Sequence, residues 1–176
     1  MIIVCPMSRA PEIAREHKPS HVVSLLDPGT PFPTLDGYRD EQRLRLGVHD
    51  IEEAMDGQDP PGEAHMRAIL NFVQAWDRSD PMLIHCYAGI SRSTATAFIT
   101  ACAHNPEIEE LRIAQALREA SPTASPNRRF VALADAALAR QGRMSAAIEQ
   151  IGRGASWFDI GEAKPFTLAS RFERTR

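Results

Sequence analysis

Apolar positions in the first half of the chain fall into two alternating kinds of segment: short continuous runs, and longer stretches with helical spacing. Ile2 to Cys5 is a brief apolar run stopped by Pro6, and His21 to Leu26 is a β-branched run stopped by Asp27-Pro28-Gly29. Both patterns predict buried strands. Residues 42–48, QRLRLGV, alternate polar and apolar, as a strand with one covered face does. Met82-Leu83-Ile84 is a fourth run, apolar throughout, as expected of a strand covered on both faces. A short helix is predicted over 11–18, ending before Pro19. A longer one carries Met66, Ile69, Leu70, Val73 and Trp76 on one face. Asp59 is its expected N-cap, Pro60 suits the first helical position, Glu63 complements the dipole, and Pro81 closes the stretch. From Ser93 to Ala103 the chain is small and apolar nearly all round, which predicts a buried central helix. Three more helices are expected: one opened by Asn105-Pro106-Glu107, one opened by Pro126-Asn127 with Gly142 at its end, and a short one over 143–151. Strands that alternate with helices predict an α/β fold, with a central, mostly parallel sheet of four to five strands flanked by helices.

Length and composition narrow the field. The 176 residues fit one domain, and 43% hydrophobic against 24% charged residues is enough to build a core. Lys plus Arg is 20 and Asp plus Glu is 23, so the net charge is −3 and neither nucleic acid nor an anionic membrane is an expected partner. Cys5, Cys86 and Cys102 are odd in number and widely spaced. They suggest no disulfide framework and no zinc site, so a reducing, cytoplasmic setting is expected, with no metal and no cofactor. No apolar run reaches the roughly 18 residues of a membrane span. The opening MIIVCPMSRAPEIA lacks the basic region of a signal peptide.

Chemistry concentrates in His85-Cys86-Tyr87-Ala88-Gly89-Ile90-Ser91-Arg92-Ser93, which leaves a buried strand and enters a buried helix. Such a strand–loop–helix turns successive N–H groups inward, and the helix N-terminus adds positive potential, so Tyr87 to Arg92 can cradle a tetrahedral dianion. Gly89 permits the tight loop. Arg92 can fork two donors onto phosphate oxygens. Cys86 lies under this positive nest, where a thiolate is stabilised, and Ser93 can hydrogen-bond the sulfur as it leaves. Cys5-Pro6-Met7-Ser8-Arg9 imitates the pattern with only three residues between Cys and Arg, too few for a cradle. Cys5 is expected in a strand core, with a resolving role toward Cys86 as its less favoured alternative. Cys102 is expected to be packing.

HCYAGISRS matches the HC(X5)R[ST] signature at every fixed position, and the chain from about Ile2 to Gln141 resembles the cysteine-dependent protein tyrosine phosphatase superfamily. The likeness is to small dual-specificity-type and bacterial tyrosine-phosphatase-like proteins. It implies a phosphatase-like domain over 1–151 and a phosphomonoester hydrolase, most simply a protein tyrosine phosphatase working through a phosphocysteine. By resemblance Cys86 is the nucleophile, Arg92 the clamp, Ser93 the hydroxyl assisting turnover, and His85 a support of the loop. The family's general acid corresponds to Asp50, 36 residues before Cys86 after a predicted strand, with Glu52, Glu53 and Asp56 as competitors. Asn127 corresponds to a buttress of the phosphate loop. Substrates are expected to be phosphorylated protein or small aryl phosphates; the X5 loop holds no Lys or Arg, which disfavours inositol lipids. Tyr38 and Arg39 are expected as exposed turn residues, with a place in the wall of a phosphotyrosine pocket as the less favoured alternative. Two alternatives from other classes are a phosphate-binding pseudophosphatase and a thiol-based arsenate reductase or sulfurtransferase. The tail, 152–176, lies outside the likeness and carries Trp157, Phe158, Phe166 and Phe172. It is expected to lie extended, packed on its own domain or on the second copy of a homodimer, and to be dispensable for the chemistry because cradle, clamp and acid all precede it.

Overall fold

The structure, a computed structural model, describes residues 1–155 and 161–174. Trp157 and Phe158 lie outside the described residues. The strands are β1 (Ile2–Pro6), β2 (His21–Leu26), β3 (Arg43–Gly47), β4 (Met82–Cys86) and β5 (Phe166–Leu168). The helices are α1 (Ala10–His17), α2 (Glu63–Ala75), α3 (Arg92–His104), α4 (Glu110–Ala120), α5 (Arg128–Ala137) and α6 (Arg143–Ile151). The sheet runs in the order β3-β2-β4-β1-β5; the first four strands are parallel, and β5 is antiparallel to β1. The family-type α/β sheet is therefore present, with its fifth strand coming from the tail.

Two-residue alternation sorts the side chains of the sheet into two cores. Ile2, Val4, Met82, Ile84 and Cys86 face the large core with residues of α2 to α6. Ile3, Cys5, Val22 and Leu83 face a small one with Ala10, Ile13 and Ala14 of α1 and Leu35. Helix α3 crosses the large core with its residues from Arg92 to Cys102 buried. Its hydroxyls are satisfied locally: Thr94, Thr96 and Thr100 donate to the carbonyls of Ile90, Arg92 and Thr96 at 2.5, 2.9 and 2.7 Å.

Two helix starts and one helix end differ from expectation. Helix α2 begins at Glu63 behind Gly62, not at Asp59. Pro61 disfavours helical backbone at Pro60, and Asp59 is engaged elsewhere, its N–H donating to His49 Nδ1 at 2.8 Å. Helix α4 begins at Glu110, because Asn105 to Ile108 first close a turn through Ile108 N–H and Asn105 O. Gly142 does not end α5, which stops at Ala137; it precedes α6, whose first amides are gathered by the Asp135 carboxylate.

Candidate active site

The parallel strands all end on one edge of the sheet, the usual place for a site in such folds. Pro6, Asp27, Val48 and Cys86 meet there. From Cys86 the chain turns through Tyr87–Ser91 into α3. The carbonyls of this loop point outward to fixed donors. Tyr87 O accepts from Met7 N at 3.1 Å, Ala88 O from Ala163 N at 2.9 Å, Ile90 O from Ser125 N at 2.9 Å, and Ser91 O from Ala95 N at 2.9 Å. A trans peptide holds its N–H opposite its C=O. The N–H groups of Ala88, Gly89, Ser91 and Arg92 therefore turn inward, toward the cradle. Gly89 has φ +74, and a Cβ there would stand 2.8 Å from Pro6 N and 2.9 Å from the Cys5 carbonyl carbon. Only glycine lets the loop lie against the end of β1.

Cys86 is buried at the base of the loop, its Sγ 3.1 Å from Ser93 Oγ. His85 is fully buried, and its Nε2 lies 2.7 Å from Ser24 Oγ on β2. Burial pushes its imidazole down to about 4, so it is neutral at physiological pH. Arg92 is buried and reaches back across the strand ends. Its Nη1 donates to Asp27 Oδ1 and to Val48 O, both at 2.7 Å. Its Nε is buried without a hydrogen-bond partner; Asp50 Oδ2 stands 3.8 Å away.

Asp50 follows β3 on a loop fixed at both ends. Val48 N donates to Leu26 O at 2.8 Å, and His49 N to Asp59 O at 3.0 Å. The Asp50 Oδ1 accepts from Ser91 Oγ at 2.7 Å and from Asn127 Nδ2 at 2.9 Å. Asp50 thus hangs over the phosphate loop beside Arg92. Among its competitors, Glu52 accepts from Arg128 N at 3.0 Å at the start of α5, and Glu53 lines the cleft. Asn127 has two jobs. Its Oδ1 caps α5 by accepting from Phe130 N at 3.1 Å, while its amide holds Asp50. Its side chain therefore holds Asp50; contact with the 87–91 loop comes from its backbone N–H, 3.4 Å from Ser91 O.

Two less favoured alternatives do not fit the structure. Tyr38 and Arg39 are not walls of the cleft: Tyr38 donates to Ala14 O at 3.2 Å and packs on the small core, on the α1 side of the sheet. Cys5 is not disposed to resolve Cys86. It pairs in register with His85 and faces the small core, while Cys86 faces the large one. Burial also raises the Cys5 thiol to about 12, which leaves little thiolate for exchange. The tail, expected to pack on the domain, also borders the cleft. A cleft of about 930 Å³ over Cys86 is lined by Asp27, Asp50, Met55, Tyr87 and Arg92, and also by residues 152–155 and Gly161. Gly154 lies so close to Thr123 and Arg118 that a Cβ would stand 2.5 Å from the Thr123 carbonyl carbon.

Asp27 was not among the residues predicted from sequence. Its signal was its place directly after a buried strand, since the end of a parallel strand falls on the same edge as Cys86.

The protein-tyrosine phosphatase family model matches residues 41–123, which include Asp50, Cys86, Arg92 and Ser93. Dual specificity protein phosphatase 15 of Rattus norvegicus is 28% identical over 124 residues, covering 70% of this chain and 48% of that protein, so the chain spans about half the length of this curated relative. The crystal structure of DUSP15 superposes with a TM-score of 0.61 at 22% identity, over 85% of this chain and 90% of that one. Human DUSP28 gives 0.60 at 21%, over 80% and 89%. With its unbroken HC(X5)RS signature, the chain is similar over residues 41–123 to the protein-tyrosine phosphatase family, and its fold is that of the dual-specificity phosphatases it superposes on.

Proposed function

We propose that the protein hydrolyses phosphomonoesters, aryl phosphates and phosphotyrosine in the first place, through a phosphocysteine on Cys86. The observation that carries this reading is the buried Arg92 Nε, a charged donor without a hydrogen-bond partner beside Cys86. A buried guanidinium N–H normally finds an acceptor, and a phosphate oxygen over the loop would supply one. Asp27 and Val48 O fix the guanidinium through Nη1, so Nε is aimed before the substrate arrives.

In the first step the Cys86 thiolate attacks phosphorus and the P–O bond to the leaving group breaks. Asp50 gives its proton to the departing oxygen, because an aryloxide with pKa near 10 leaves poorly unprotonated. In the second step the Asp50 carboxylate takes a proton from water as the water attacks phosphorus. The S–P bond breaks, and Ser93 Oγ–H hydrogen-bonds the thiolate that departs. The net reaction is phosphomonoester plus water to alcohol plus phosphate. An aromatic leaving group suits the mouth of the cleft, where Tyr87 and Met55 are 59% and 55% exposed and offer apolar surface to a ring. A reducing compartment, which keeps Cys86 a thiol, is the setting this chemistry needs.

Turnover of phosphotyrosine peptide and of an aryl phosphate by the wild type and Cys86→Ser provides the test. The variant should lose turnover by several orders of magnitude and still bind inorganic phosphate, because cradle and clamp remain. A wild type that binds phosphate without hydrolysing either substrate would favour a pseudophosphatase. Hydrolysis by Cys86→Ser at the wild-type rate would remove the cysteine from the mechanism.

A further inference from the structure

We propose that the C-terminal segment is a working part of the phosphate loop. The Ala163 N–H holds the Ala88–Gly89 peptide in its anion-binding orientation, which makes Ala163 a positioning residue for hydrolysis. The inference rests on the phosphatase reading above and extends it beyond the matched family region, 41–123, into a tail that sequence reasoning treated as dispensable.

The peptide that precedes a glycine is the easiest in a loop to turn over. Glycine accepts φ of either sign, so a half-turn of the Ala88–Gly89 plane could carry Gly89 from φ +74 to a negative value at little steric cost. Such a flip would withdraw the Gly89 N–H from the cradle and turn the Ala88 carbonyl into it. A phosphate dianion would then meet an acceptor where it needs a donor. The neighbouring peptides are fixed by elements inside the domain: Tyr87 O by Met7 N, Ile90 O by Ser125 N, and Ser91 O by Ala95 N and Asn127 N. Ala88 O accepts from Ala163 N at 2.9 Å.

That donor is itself well anchored. Ala163 is 4% exposed. The preceding residue, Glu162, accepts from Ser8 Oγ through its carboxylate at 2.7 Å. Beyond it, Pro165 restricts the backbone and β5 locks Phe166, Thr167 and Leu168 opposite Val4, Ile3 and Ile2. The tail therefore approaches the loop from an edge strand whose register is set by β1, the same strand on whose end Gly89 rests.

Ala163→Pro removes the donor and keeps the segment. Phosphate and vanadate affinities are to be measured by calorimetry, alongside kcat and KM for an aryl phosphate and a melting curve. A folded variant should bind phosphate roughly fivefold to tenfold more weakly, the worth of one well-placed hydrogen bond, with kcat/KM falling in step. Coupling is reciprocal, so the unmodified protein offers a second measurement that does not depend on the variant folding. Saturating phosphate should slow hydrogen exchange at the Ala163 amide several-fold and leave the amides of β5 nearly unchanged. Unchanged phosphate affinity in folded Ala163→Pro, or an Ala163 amide indifferent to phosphate, overturns the proposal. A wild type that binds phosphate but shows either of these results keeps the phosphatase reading and loses this one. A wild type that binds no phosphate at all loses both.

Discussion

Asp50 makes three approaches at once: to the Ser91 hydroxyl, to the Asn127 amide, and to the Arg92 guanidinium. In Asp50→Asn the amide oxygen can still accept from Ser91 and Asn127, so the loop should keep its place while the transferable proton is lost. Hydrolysis of a phenyl phosphate with a poor leaving group should fall by about 10²–10⁴, and that of an activated nitrophenyl phosphate by much less. Equal losses on the two substrates would put the acid elsewhere, with Glu53 the next to replace. Asp50, Cys86, Arg92 and Ser93 were legible in the sequence because a linear signature and a strand-end position carry them. Asp27 was not, because its pairing with Arg92 spans 65 positions and depends on which strands become neighbours. Asn127 was half legible: Pro-Asn announces a cap, but only the fold shows its amide turned to Asp50.

Between elements, the backbone ladder of β4 and β2 is reinforced behind Cys86 by the buried His85–Ser24 side-chain pair. Burial pushes the His85 imidazole down to about 4 in the folded protein, from an ordinary value near 6.5 in the unfolded chain. Between those values the unfolded chain binds the extra proton, so stability falls as pH drops from 6.5 toward 4 and is fully present above 6.5. The loss amounts to about 3 kcal/mol, from 1.36 kcal/mol per pH unit. Melting temperatures of wild type and His85→Gln should therefore converge as pH is lowered from 7 to 4.5; parallel curves would show that His85 is not the group responsible. The strands β1 to β4 were readable from continuous apolar runs. Helix starts were less so, because Asp59-Pro60 and Asn105-Pro106 carry the local marks of an N-cap region, while the chain stays irregular to Gly62 in the first case and closes a turn in the second.

On the scale of the whole molecule, the sheet is completed by residues remote in sequence. β5 is three residues long and follows Pro165, so neither periodicity nor length marks it as a strand. Only the exposed edge of β1 gives it a partner. Removing 162–176 would uncover that edge and the contact with Leu168, which is 2% exposed. Loss of one buried leucine and a short ladder is worth about 3–5 kcal/mol, a fall in melting temperature of roughly 10 °C. An unpaired β1 edge should also promote association, visible by size-exclusion chromatography. If the truncated protein kept wild-type melting temperature and size, β5 would contribute nothing to the sheet's stability.

The pairing of β5 with β1, and of Ala163 with Ala88, also sets a clock. Ala163 is added 77 residues after Cys86. At roughly 5–20 residues per second that is about four to fifteen seconds of synthesis. For most of that interval Asp50, Cys86 and Arg92 are already made, but the Ala88–Gly89 peptide has no donor to its carbonyl. On the reading proposed above, a chain that stops before Ala163 lacks the donor to Ala88 O and should bind phosphate more weakly than one in which this segment has folded back onto β1.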